Sequence, residues 1–131
     1  MRDIILTYLT DNVVTGFGVS DKLPFDQNGD PLYLQNLKQL YVTQPQTEQE
    51  PLFDTLDDSG VVQETTTAEV YVITDAKTLP SNYDALVTAV KGVRSAATIQ
   101  GYTGKAVGVN TTIQNDQLQT RFDLEYTKLI T

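Results

Sequence analysis

Two stretches constrain what this chain can fold into more than any others. The run Thr65-Thr66-Thr67-Ala68-Glu69-Val70-Tyr71-Val72-Ile73 is dense in β-branched residues. Such residues lose χ1 freedom in a helix and pack well on a pleated surface, so the run predicts a strand. Near the end of the chain, Phe122, Leu124 and Tyr126 alternate with Arg121, Asp123, Glu125 and Thr127. A period of two is the pattern of a strand with one buried face and one wet face. An amphipathic helix pattern lies between the two, so the second half reads strand, helix, hairpin. With a helix at the start, the expected fold is α+β: two helices packed on a mostly antiparallel sheet of four to six strands, with a long acidic loop at 44–60.

At 131 residues the chain fits one domain, 1–131. A domain of that size buries roughly two-thirds of its unfolded surface, enough for a core without staples. There is no cysteine, which excludes disulfides and thiolate chemistry. There is no histidine, which removes the usual general base and the commonest metal ligand. No apolar run approaches the roughly 20 residues a bilayer-crossing helix needs. The start, Met1-Arg2-Asp3-Ile4, lacks a small-residue cleavage site and meets an acid at once, which reads as cytosolic at synthesis.

The formal net charge is −8, which disfavours gripping nucleic acid. The charge is uneven. No Lys or Arg stands between Lys38 and Lys77, where Glu48, Glu50, Asp54, Asp57, Asp58, Glu64, Glu69 and Asp75 are found. The rest of the chain is close to balanced.

Taken in order, residues 2–14 read as a helix, because Ile4, Ile5, Tyr8 and Leu9 form one apolar stripe. Gly16-Phe17-Gly18-Val19 is not a phosphate loop, since no Lys-Ser/Thr follows it. Residues 23–34 read as a hairpin turning at Asn28-Gly29. Asp26, Asn28 and Asp30 also match positions 1, 3 and 5 of a calcium loop. Pro31 then stands where that loop needs Gly, and Leu37 where it needs a bidentate Glu, so a bare turn is the better reading. Residues 37–43 read as a strand that Pro45 stops. The polar stretch 44–60 reads as a loop long enough to be functional or solvated, interrupted by Leu52, Phe53 and Leu56. Residues 61–74 form the long central strand, with Thr65 to Thr67 expected towards an exposed edge. Ser81 is the expected N-cap of a helix whose stripe is Tyr83, Leu86, Val87, Val90 and Val93, and Gly92 suggests close approach of that helix to the sheet. Strands at 106–113 and 118–130 follow, joined by a turn at 115–117. The expected core is Ile5, Tyr8, Leu9, Leu40, Val42, Val70, Val72, Leu86, Val90, Phe122, Leu124 and Tyr126.

Chemistry is hard to place. Asp57-Asp58 are adjacent in a loop and point apart in the usual case. Asp123 and Glu125 share one strand face but have no third ligand at a suitable spacing. Ser20, Ser59, Ser81 and Ser95 have no histidine partner. No enzyme activity, cofactor or metal is expected.

The order helix, hairpin, strand, long loop, strand, helix, strand, strand resembles the lambda-type tail terminator family of long-tailed bacteriophages. The local likenesses are Gly29-Asp30-Pro31-Leu32-Tyr33 leading through Leu37 into Leu40-Tyr41-Val42-Thr43, an acidic stretch with Glu48 and Glu50, and the strand 68–73 running to a helix with Asp84 near its start. Phe122-Asp123-Leu124-Glu125-Tyr126 then closes the fold. The resemblance spans residues 2–131 and carries no signature motif. It implies a hexameric ring that binds the last ring of the tail tube, stops its growth and presents a surface to the head connector or stopper, with DNA passing through the lumen unbound. It also implies a place in the virion neck, after assembly in the host cytoplasm. Residues 48–64 would then line the lumen or a subunit interface. Charge and exposure nominate Glu48, Glu50, Phe53, Asp57, Asp58, Thr66 and Arg121 as interface residues. Two alternatives stand beside this reading: another neck or tail-completion component, and a small cellular helix-on-sheet binding domain.

Overall fold

A computed structural model of the chain describes residues 1–51 and 61–130. In chain order its elements are helix α1 (Arg2–Asn12), strands β1 (Gly18–Val19), β2 (Gln39–Val42), β3 (Gln46–Pro51) and β4 (Val62–Asp75), helix α2 (Tyr83–Lys91), and strands β5 (Thr103–Gly104), β6 (Gly108–Gln114) and β7 (Gln117–Ile130). The architecture is α+β. The seven described strands exceed the expected four to six, because two long paths each break into short pieces.

β4 and β7 are the axis. They pair antiparallel along their whole length, from Val62 opposite Ile130 to Asp75 opposite Gln117. On the far side of β4 lie β2 and then β3, both antiparallel to it. On the far side of β7 lie β6 and β5, again antiparallel. Among the described strands only β1 is parallel, beside β2. Since side chains alternate across a strand, the register sorts residues onto two faces. Even-numbered positions of β4 and β7 share the face that α1 and α2 cover.

That face holds the core. Ile5 and Leu9 of α1, Leu86 and Val90 of α2, and Leu40, Val42, Val70, Val72, Phe122, Leu124 and Tyr126 of the sheet are all buried. Burying each large side chain contributes about 1.5–3 kcal/mol before entropy is counted. Of the expected core only Tyr8 is half-buried, packed at the edge. The Tyr126 hydroxyl donates to the Val93 carbonyl at 2.6 Å, so the aromatic ring enters the core without orphaning its polar tip. Gly104 lets β5 pass close to the turn after α2: a Cβ there would run into the Arg94 carbonyl. Gly92 approaches α1 and not the sheet, since a Cβ there would strike the Tyr8 hydroxyl.

Among the described residues, the opposite face is covered at one end only. Tyr41 and Ile73 are buried there. Phe25 and Tyr33 pack on Tyr71, Phe25 edge-on at 5.8 Å and Tyr33 stacked at 4.7 Å.

Several expectations need correction. The stretch 44–60 is not all loop, because Gln46–Pro51 pairs with Thr67 to Val62 as β3. The hairpin at 23–34 shrinks to one bridge, Phe25 to Pro31, followed by a single helical turn at Tyr33–Gln35. Pro31 has no N–H to extend the ladder. Thr65 to Thr67 are not at an edge: β4 runs between β3 and β7, and Thr66 is 2 % exposed. α1 stops at Asn12, and α2 is preceded by Asn82 in place of Ser81. β6 starts later than expected, at Gly108.

Candidate functional site

Odd-numbered residues of β4 and β7 point away from the helices, and the register places even-numbered residues of β3 and β6 beside them. The uncovered part of this face therefore carries Glu48, Glu50, Glu69, Asp123 and Glu125, interleaved with Thr65, Thr67, Thr112 and Thr127. Two cations stand among them. Lys105 reaches Glu125 at 2.5 Å. Arg121 Nε donates to Asp123 at 3.0 Å, and that bond, with the attraction of the same carboxylate, holds the guanidinium above its usual range. Asn110 donates a second hydrogen bond to Asp123 at 2.5 Å. Burial first, and then the hydrogen bond it donates to Glu69, push the Tyr71 phenol well above its ordinary value. Both cations are thus matched to acids, and Glu48 and Glu50 stay exposed.

The helix-side face beyond the core is polar but closed on itself. The Tyr102 hydroxyl donates to Glu64 at 2.5 Å, and Gln49 donates to the other carboxylate oxygen at 3.0 Å. The Tyr102 bond is the larger cause that holds the Glu64 carboxyl below its usual range, and the Gln49 bond is the next. Lys128 sits 4.9 Å from the centre of the Tyr102 ring. Thr66 lies on this side, sharing a hydrogen bond of 3.1 Å with Thr47.

Three of the residues nominated from sequence, Glu48, Glu50 and Arg121, share one sheet face, but Arg121, opposite Tyr71, stands about 20 Å along the ladder from Glu48, opposite Thr65. The structure removes Thr66, which is buried on the other face. Phe53, Asp57 and Asp58 lie outside the described residues. Sequence reasoning missed Glu69 and Lys105 as members of the face, and treated Asp123 and Glu125 only as possible metal ligands. Their odd parity was the available signal, but the parity of β3 relative to β4 is set by pairing and is not written in either strand.

The described residues offer little reaction chemistry. No three of their Asp and Glu residues converge closely enough to share a metal ion. At the calcium-like turn, Asp26 Oδ1 accepts the backbone N–H groups of Asn28 and Asp30, each at 2.9 Å, so the carboxylate is engaged in holding its own turn. No helix among the described residues is long and apolar enough to cross a membrane.

Fold and site together define a helix-on-sheet α+β domain that presents an acidic, threonine-rich sheet surface. The chain matches no protein-family model, and no curated protein sequence matches it.

Proposed function

We propose that this chain is a structural virion protein, the tail terminator of a long-tailed bacteriophage. In this reading it assembles as a ring, hexameric by resemblance, caps the end of the tail tube, and joins it to the head connector or stopper. It would be made in the host cytoplasm and end in the neck of the virion. The mechanism is capping by complementary surfaces, without turnover.

The observation that carries the reading is the acidic, threonine-rich face of the long sheet. Turned towards a central channel, five carboxylates against two paired cations would repel the phosphate backbone and let DNA slide without sticking. The threonine hydroxyls keep such a wall wet, and the helices on the other side would face outward.

The test is solution mass by light scattering over a range of concentrations, alone and with tail tube protein, with negative-stain images of the largest species. Rings, or a monomer that becomes rings on tube ends, are the expected result. A monomer at every concentration, inert towards tubes, would remove the terminator reading and favour the small binding domain.

A further inference from the structure

The sheet ends in two unlike edges. Among the described residues no strand pairs with the outer side of β3 or of β6. Native proteins blunt free edges with charge and proline. β3 is so protected, by Glu48, Glu50 and Pro51, and every residue in it is exposed. β6 is not. From 106 to 115 the chain has no charged residue and no proline, in a protein of net charge −8. Val109, Thr111, Thr112 and Ile113 are β-branched, and Ile113 is 69 % exposed. An unblunted edge of this kind is a template for another strand.

We propose that β6 of one copy pairs antiparallel with β3 of the next, so that the sheet continues from subunit to subunit. The choice of a second copy rests on the ring reading above; the choice of edges rests on geometry and charge. β6 runs antiparallel to β7, β7 to β4, and β4 to β3, so β6 and β3 point in opposite directions within one copy. Rotation about a ring axis along the strands preserves direction and face. β6 therefore meets the neighbouring β3 antiparallel, the better-bonded arrangement, and the acidic face stays on one side all round. Pairing β3 with itself would set glutamate against glutamate. Pairing β3 with β6 gives those carboxylates donors. In the register that uses all of β3, Glu48 falls opposite the Thr112 hydroxyl and Glu50 opposite the Asn110 amide, whose second N–H is still available. Thr47 falls opposite Ile113 on the other face and covers it.

The chain has no cysteine, so introduced thiols are unambiguous. The double variant Glu48→Cys/Thr112→Cys is oxidised under ring-forming conditions and separated without reductant. The expected result is a ladder of cross-linked multiples ending at the ring. Mixed single variants should give only the heterodimer. Glu50→Cys/Asn110→Cys guards against poor thiol geometry in the first pair. Thr111→Cys reports the competing contact, since β6 paired with its own copy about Thr111 would link that variant to itself. Self-linking of Thr111→Cys in place of the ladder overturns the proposal. Rings seen by scattering with neither pair cross-linked overturn it too, and leave the ring reading standing. Absence of any oligomer removes the ring reading first, and this contact with it.

Discussion

Along β4 and β7, residues 66–74 and 118–126 lie under the helices and the turn that follows α2, whereas residues 62–65 and 127–130 run on past them for about 13 Å. The ladder is continuous across both halves. The first half is held by apolar burial, with Val70, Val72 and Phe122 fully enclosed. The second leans on polar pairs and one cation over a ring, and Thr66 and Tyr126 mark where the core ends. Hydrogen bonds and exposed charges contribute little net free energy compared with apolar burial. The covered half therefore supplies the fold and the extended half supplies surface. Four measurements test that contrast.

Phe122→Ala should have the largest effect. It empties the centre of the covered half and should lower stability by about 3–5 kcal/mol in a urea titration. A loss similar to that of an exposed substitution would mean the helices do not seal this face.

Tyr126→Phe sits at the boundary. It keeps the ring and removes one of two donors to the Val93 carbonyl, which still accepts from the Ala96 N–H, so a loss of about 0.5–1.5 kcal/mol is expected in the same titration.

The third measurement is alkaline unfolding, followed by tyrosinate absorbance together with circular dichroism. Burial, with a smaller contribution from Tyr8, pushes the Tyr126 phenol up to about 12, against an ordinary value near 10. The folded state favours the protonated phenol. Its contribution is whole below about pH 10 and is lost as pH rises towards 12. Tyr71 is shifted the same way, so Tyr126→Phe should reduce the alkaline loss without removing it.

The smallest effect is expected in the extended half. Glu64 is held below the ordinary carboxyl value of 4.5 chiefly by the Tyr102 hydroxyl. Its stabilisation is present above that value and fades as pH falls through the lowered one. In Tyr102→Phe the Glu64 titration, read by NMR, should move back up, with the core signals unchanged. Core signals that move with it would show the two halves to be one cooperative unit.

The covered half was legible in the sequence because alternation there is enforced by burial. Phe122, Leu124 and Tyr126 face the helices, and their odd neighbours do not. β3 was not legible. Gln-Thr-Glu-Gln-Glu-Pro has no apolar rhythm, and it becomes a strand because β4 offers it a ladder. A turn does form at Asn28-Gly29, with positive φ at Gly29 alone, but the following residues are drawn across the sheet to stack Tyr33 on Tyr71, a contact no local pattern encodes. Charge alone nominates Glu48, Glu50 and Arg121, and the register puts them on one face. Glu69 escaped because its place depends on which face of β4 turns outward.

The long ladder also bears on the order of folding events. β6 and β7 are joined by Asn115-Asp116, both with positive φ, the two-residue turn whose twist suits a hairpin. That hairpin can close in microseconds. β4 must instead find β7 across all of α2 and β6, and such distant pairings slow folding towards milliseconds to seconds. During that search the hairpin exists without its partner, and both faces of β7 and its edge away from β6 are open to other chains. The position of one short turn therefore sets how long a nascent chain stays exposed to its copies before the central pair is made.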